Sequence, residues 1–237
     1  MCSIVIFPDA SGGYRIGMNR DERRTRAPAT ETREVGVSGG RSARYPIDPE
    51  GRGTWIAARS DGLTLALLNQ YGTEVSSASA PLLSRGVLIP KLLESDDVGD
   101  VMIRLTTILR RSPKRIPSFL LVAIERNQES ISSLRWDEAG RIVDSRVWPR
   151  EPRIFTSSSW NAEDTIAFRE ASFQRFLDAS ASSPSQAEIL KYLHTSEQGE
   201  EKMSVAMSRA ESRTVSTTWI ESTSLATRME YFPNALE

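Results

Sequence analysis

Residues 1–22, MCSIVIFPDASGGYRIGMNRDE, hold the stretch whose reading decides the fold. Cys2 to Phe7 is a short run rich in β-branched residues and predicts a strand. The following PDASGG has turn composition. Tyr14 to Asn19 predicts a second strand, so the two make a hairpin. Such pairing brings Asn19-Arg20-Asp21-Glu22 back toward Cys2. Arg20 to Arg52 is polar, arginine-rich and dotted with Gly and Pro, and is expected to be loop with little regular structure. A loop of that length inside a compact domain is usually functional.

Outward from this hairpin, Gly53 to Ala58 and Leu63 to Asn69 predict a second hairpin around Ser60-Asp61-Gly62. LTLALL is almost unbroken apolar sequence, as expected of a strand covered on both faces. Pro81 to Leu93 and Val98 to Arg111 carry apolar residues at helical spacing, the first interrupted near Gly86 and Pro90. Strands are expected at Ser118 to Glu125, Ser130 to Asp137, Arg141 to Trp148 and Arg153 to Ser157. A helix from Trp160 should place Phe168, Phe173, Phe176 and Leu177 on one face, and Pro184 to Leu193 should form another. After a polar loop from Ser196 to Lys202, Val205 to Met207, Thr214 to Glu221 and Ser224 to Phe232 read as strands. Strand clusters separated by helix pairs are not βαβ alternation. They predict an α+β layered sandwich. No Pro-rich linker divides the chain, so residues 1–237 are expected to form a single domain.

Composition narrows the chemistry. Hydrophobic residues make up 39% and charged residues 26%, which excludes whole-chain disorder. Thirty basic residues stand against 31 acidic ones, so no global basic field exists for nucleic acid or an anionic membrane. No apolar run is long enough to span a bilayer, and no signal-peptide pattern precedes Pro8. The cytoplasm is the expected compartment. There is one cysteine, Cys2, and one histidine, His194, so disulfides and cysteine-based zinc sites within the chain are excluded. A Ser-His-Asp triad would have to use His194. That residue sits on a predicted helix beside Tyr192 and reads as a surface or capping histidine. No cofactor or metal is called for.

Chemistry without histidine remains open at Cys2. Removal of Met1 would put a free α-amine and a thiol on one residue. Their reference pKa values are about 7.7–8.0 and about 8.5, so the amine can serve as base and the sulfur as nucleophile. The plainer reading is a small apolar residue starting a strand. Asp21 offers a carboxylate to orient the amine, and Arg20 a guanidinium to favour a thiolate or oxyanion. A solvated ion pair is the simpler account of both. Asn69, ending an apolar strand, must find hydrogen bonds or solvent, and its amide can donate to an oxyanion.

These residues together resemble the NRDE family, also called the Transport and Golgi organisation 2 family. The resemblance rests on Met1-Cys2, Asn19-Arg20-Asp21-Glu22, Ala27-Pro28-Ala29, Gly39-Gly40-Arg41, Gly53-Thr54-Trp55, Leu68-Asn69, Ser84-Arg85-Gly86 and Ser212-Arg213-Thr214-Val215-Ser216. It implies a four-layer αββα sandwich of N-terminal-nucleophile hydrolase type. Catalytic members of that superfamily cleave non-peptide amides such as penicillin V and conjugated bile acids. Carried over by position, the resemblance makes Cys2 the nucleophile, Asp21 the amine-orienting acid, Arg20 the nearby arginine and Asn69 an oxyanion donor. Asn19 and Trp55 fall in the motifs and are expected to line the substrate site. Ser159 or Asn161 stands where a second oxyanion Asn is expected, and Arg213 is the late arginine. Gln70-Tyr71-Gly72 departs from the aromatic and arginine that commonly follow the family's Asn. The family is also associated with Golgi organisation, lipid metabolism and haem trafficking. Ligand handling, with haem or an acyl-lipid as ligand, is therefore the alternative to hydrolysis of a small-molecule amide.

Overall fold

The N-terminal hairpin forms in the computed structural model, which describes residues 2–71, 83–128, 130–137, 139–147, 151–180 and 183–233. Strand β1 (Cys2–Pro8) pairs antiparallel with β2 (Tyr14–Arg23), setting Cys2 opposite Arg20. Gly12, at φ +86°, and Gly13 make the turn. A Cβ on Gly13 would come within 2.4 Å of the Ser222 carbonyl oxygen, so the bend fits only without a side chain.

The expected loop from Arg20 to Arg52 is largely strand. β2 runs on to Arg23, and β3 (Thr30–Val37) and β4 (Arg41–Ile47) follow as a hairpin. β3 lies at the edge of its sheet and is mostly exposed. An exposed edge strand gains from charged side chains, which discourage pairing with another chain. Its sequence, TETREVGV, is polar for that reason and lacks the apolar alternation that marks a half-buried strand.

The second hairpin is β5 (Ile56–Arg59) and β6 (Leu63–Asn69). A 3₁₀ turn at Arg85–Val87 runs into α1 (Leu88–Leu92), then α2 (Val98–Arg111). Asp97 caps α2 by accepting from the Asp100 amide at 2.8 Å. Pro81 and Leu82 of the expected helix lie outside the described residues. Strands β7 (Phe119–Glu125), β8 (Ile131–Trp136), β9 (Ile142–Val147) and β10 (Arg153–Ser157) form near their expected bounds; Trp148 is outside the described residues. Helices α3 (Ala162–Ala179) and α4 (Gln186–Leu193) follow, then β11 (Ser212–Ser222) and β12 (Thr227–Pro233). Val205 to Met207 is not a strand. It is irregular chain buried against the sheet, so its apolar character reflects burial alone.

The described strands make two antiparallel sheets, ordered β10-β1-β2-β11-β12 and β3-β4-β5-β6-β7-β8-β9. Between them, Ile4, Ile6, Ile16 and Met18 meet Ile56, Leu68, Leu120 and Val122. The outer face of the larger sheet packs Leu65, Leu67 and Leu121 on α1 and α2. The outer face of the smaller sheet packs Val5, Phe7 and Trp219 on α3 and α4. The order is helices, sheet, sheet, helices: the four-layer αββα sandwich. Of the aromatic face expected on α3, Phe173, Phe176 and Leu177 enter this layer. Phe168 does not belong to that cluster and lies 6.0 Å from the Arg175 guanidinium.

The Gly-Thr-Trp and Ser-Arg-Gly segments meet. The Thr54 amide donates to the Gly86 carbonyl at 3.0 Å. A Cβ on Gly53 would sit 2.3 Å from the Gly86 carbonyl carbon, and one on Gly86 would sit 3.2 Å from the Thr54 nitrogen. Gly53→Ala is expected to cost about 1–3 kcal/mol through a clash that backbone atoms cannot evade, and Gly86→Ala less. Urea denaturation midpoints check this ordering.

Candidate active site

Alternation along β1 and β2 decides which side chains meet. Even-numbered Cys2 and Arg20 face the space between the sheets, and odd-numbered Asn19 and Asp21 face the α3–α4 layer. Cys2 pairs with Arg20 on one side and Ser157 on the other. Its side chain is buried at the floor of a cavity of about 140 Å³. Arg20, Asp48, Trp55, Asn69 and Arg85 are among the lining residues.

Arg20 lies over the Trp55 ring, its guanidinium carbon 4.4 Å from the ring centroid. Its Nη2 donates to Asp48 at 3.2 Å and stands 3.5 Å from Glu22. Arg26 donates to the same Asp48 oxygen from Nε at 3.1 Å and Nη2 at 2.6 Å. The other oxygen of Asp48 accepts from the Glu50 and Gly51 amides, so one carboxylate folds the turn after β4 and gathers two guanidiniums over Cys2. Burial pushes Asp48 up, but the Arg26 and Gly51 hydrogen bonds and the charges of Arg20 and Arg26 outweigh it, and its carboxyl is held below the usual range.

Asn69 ends β6 on the facing sheet, half-buried, and lines the cavity. Its amide donates to the Tyr71 hydroxyl at 3.3 Å, a long bond. The Trp55 indole nitrogen is buried with no hydrogen-bond partner among the described residues. Burial pushes the Cys2 thiol above its ordinary value, and the nearby Asp21 charge adds to this. The Arg20 charge and a hydrogen bond from the Asp21 backbone pull the other way without overcoming it.

Asp21 sends its carboxylate to the other face of the sheet. Oδ1 accepts from Thr214 Oγ1 at 2.7 Å, and Oδ2 pairs with Arg169 at 3.3 Å. Asn19 is not brought to the cavity. Its Nδ2 donates to the Leu193 and Val205 carbonyls at 2.6 and 3.1 Å, and its Oδ1 accepts from Thr217. Asn19 thus holds α4 and the buried chain at Val205 onto β2. Ser159 is exposed in an outer groove of about 380 Å³ that shares Asp21, Glu22, Arg26, Asn69 and Arg85 with the cavity. Asn161 is exposed at the N-terminus of α3, at φ +42°, and donates to Asp164 at 2.7 Å. Arg213 lies in an adjoining cavity that also touches Arg20, Glu22 and Arg26. His194 is half-buried on the α4 side, its Nε2 3.1 Å from Thr217 Oγ1.

Sequence reasoning missed Asp48, Arg26, Arg169 and Thr214. Asp48 sits in IDPEGR, where Asp and Gly signal a turn and nothing signals a hub for arginines. Among the described residues no group of three or more His, Cys, Asp or Glu side chains is arranged to hold a metal. Among the same residues no helix is long and apolar enough to cross a membrane.

A sequence model of the family described as Transport and Golgi organisation 2 matches residues 1–231. No curated protein matches the chain. Among solved structures, a Caenorhabditis elegans ortholog of N-acylethanolamine-hydrolyzing acid amidase superposes with a TM-score of 0.64 at 11% identity, covering 92% of each chain. Two variants of a conjugated bile acid hydrolase from Clostridium perfringens align at 11% and 10% identity with TM-scores of 0.46 and 0.45. They cover 100% and 99% of this chain and 93% and 94% of theirs. The architecture is that of the N-terminal-nucleophile hydrolases.

Folding lowers the proton affinity of Asp48, so its stabilisation is complete above the unfolded value of 3.8 and is lost as pH falls through the lower folded value. Asp48→Asn is expected to cost about 2 kcal/mol at neutral pH. The gap to wild type should close in acid, and urea melts across the acid range measure it.

Proposed function

The chain belongs to the Transport and Golgi organisation 2 family, and on that premise we propose that it is an N-terminal cysteine amidohydrolase acting on a small-molecule, non-peptide amide after removal of Met1. The observation that carries this reading is the placement of Cys2 at the floor of the inter-sheet cavity, with Arg20 beside it and Asn69 on the facing sheet. The buried thiol needs a base, because burial raises its pKa. His194 sits on the opposite side of the smaller sheet, bonded to Thr217, and cannot serve. Loss of Met1 would put that base on the same residue.

In the proposed cycle the freed α-amine takes the thiol proton, and the sulfur attacks the amide carbon. The Asn69 amide, and the unpartnered Trp55 indole N–H, donate to the oxygen that becomes negative. The C–N bond breaks, and the leaving amine takes the proton back from the α-ammonium. Water then hydrolyses the thioester, with the same amine as base. Arg20 supplies positive charge beside the sulfur. Asp21 holds the α-ammonium through the sheet edge. The cavity of about 140 Å³ is below the roughly 300–1,000 Å³ of pockets that enclose a drug-sized ligand. It suits a reacting group, with the rest of the substrate in the outer groove near Ser159.

Intact mass before and after brief near-stoichiometric iodoacetamide, with unfolded protein as control, tests the premise. The reading expects loss of Met1 and faster labelling of native than of unfolded protein; retained Met1 or slower native labelling rules out the amine-base mechanism. Once a substrate is found, Cys2→Ala should abolish turnover with the fold intact, and Asn69→Ala should lower kcat by about 10²–10³. Stoichiometric binding of haemin or acyl-CoA with no product would replace this reading with ligand handling.

A further inference from the structure

Arg85 stands where the cavity over Cys2 meets the outer groove. Five described residues line both spaces: Asp21, Glu22, Arg26, Asn69 and Arg85. Three of them have their charge matched within the protein. Asp21 pairs with Arg169 on the far face of the sheet, Glu22 lies 3.5 Å from both Arg20 and Arg26, and Arg26 donates to Asp48. Arg85, half-buried, is held by a neutral group: its Nη1 donates to the Ser118 carbonyl at 2.8 Å. That carbonyl also accepts from the Gln70 amide at 3.0 Å. Gln70 follows Asn69, so one oxygen fixes the guanidinium and the proposed oxyanion donor relative to each other. Arg85 also opens the 3₁₀ turn whose Gly86 is pressed against Gly53 and Thr54. Its backbone is thus as fixed as its side chain.

Positive charge prevails around this junction. Among the described residues, six arginines and four carboxylates line the cavity, the outer groove and the adjoining cavity of Arg213. One of the four, Asp21, turns its charge to the far face of the sheet. A cleft with an excess of one charge and low-dielectric walls concentrates ligands of the opposite charge. Hydrogen bonds from a guanidinium to a carboxylate or phosphate are charge-assisted and among the strong ones. The cavity of about 140 Å³ admits little more than the reacting group. With Arg85 and Asn69 together at its junction with the groove, an anion on Arg85 lies close to a carbonyl whose oxygen is on Asn69. The bond to Ser118 alone would make Arg85 a strap onto the start of β7, and a strap has no need to face both spaces.

We infer that Arg85 is a specificity-determining residue, taking an anionic group (a carboxylate, sulfonate or phosphate) that the substrate carries within a few bonds of the scissile carbonyl. This rests on the proposed role of Cys2.

Two alkylating agents of nearly equal size test it on the full chain, where every thiol adduct reports Cys2. Iodoacetate and iodoacetamide both form a carbon–sulfur bond with loss of iodide. They differ in carrying a carboxylate or a neutral amide beside the attacked carbon. The quantity read is the iodoacetate-to-iodoacetamide rate ratio of native protein, divided by the same ratio for unfolded protein, which removes intrinsic reactivity. It should be about tenfold above unity at low salt and fall as salt is added. Arg85→Gln should lower it roughly fivefold, and Arg85→Lys, which keeps the charge, should retain most of it. Arg104→Gln, which removes an equal charge from the exposed face of α2, should leave it unchanged. A wild-type ratio at or below unity, or one that Arg85→Gln leaves in place, overturns the inference. If Arg85→Gln does not fold, protection of the wild type decides. N-acetylglycine should then shield Cys2 from iodoacetamide at a concentration about tenfold lower than neutral N-acetylglycinamide needs; equal or absent protection overturns the inference. A native thiol inert to both reagents fails differently, overturning the hydrolase reading and this inference with it. Rapid iodoacetamide labelling with no preference for iodoacetate overturns this inference alone.

Discussion

The register between β1 and β2 is the constraint on which the site depends. Side chains alternate between sheet faces, so a slip of one residue would exchange every inward group for its outward neighbour. Either Cys2 would turn to the helices, or Asp21 would enter the cavity in place of Arg20. Several contacts pin the hairpin against such a slip. Gly12 and Gly13 fit the bend against Asn127 and Ser222, where a Cβ would collide. The Tyr14 hydroxyl reaches across to donate to the Gly62 carbonyl at 2.8 Å, locking the hairpin to the β5–β6 turn of the other sheet. Beyond the turn, either Ile4 and Ile6 or Ile16 and Met18 would leave the inter-sheet core if the register moved.

With the register fixed, charge is distributed on two levels. Above Cys2, Asp48 and Glu22 neutralise Arg20 and Arg26 within the space between the sheets. Below it, Asp21 and Arg169 neutralise each other within the helix-facing layer. Neither level exposes an unmatched charge to an apolar surface, which would be costly. Cys2 lies between them on a strand whose own residues are otherwise apolar or small. The charges nearest the sulfur, Arg20 and Asp21, come from β2, and their own partners come from the turn after β4, helix α3 and strand β11.

How much of this could be read from the sequence follows from what each residue must do. The N-terminal hairpin, LTLALLN and Val98–Arg111 were legible because periodicity and burial agree there. β3 was not, because an exposed edge strand has no apolar stripe to display. Val205 to Met207 misled in the opposite sense, being apolar and buried without strand geometry. Within the site, Cys2, Arg20 and Asn69 stand in short motifs next to strand ends, and the structure brings them to one cavity. Asn19, from the same motif, turns away because it is odd-numbered on β2. Arg169 was invisible, since an arginine within a helix ordinarily reads as a solvent-facing residue. Only the assembled layers show that its face is the inner one.

The smaller sheet has a consequence for synthesis. β1 and β2 are made early, yet β1 pairs with β10 and β2 with β11, partners some 150 to 210 residues further along the chain. At ribosomal speeds of about 5–20 residues per second, the first hairpin waits roughly 10–40 s for its flanking strands. Pairings so distant in sequence also close slowly once available. The larger sheet pairs strands consecutive in the chain, the widest gap being the α1–α2 segment between β6 and β7, so its delay is shorter. Throughout that interval the edge of β1 beside Cys2 is open to solvent and to any processing enzyme that needs an extended chain. Arrival of β10 closes that edge by pairing Cys2 with Ser157, so the time for which it stays open is set by the order of translation.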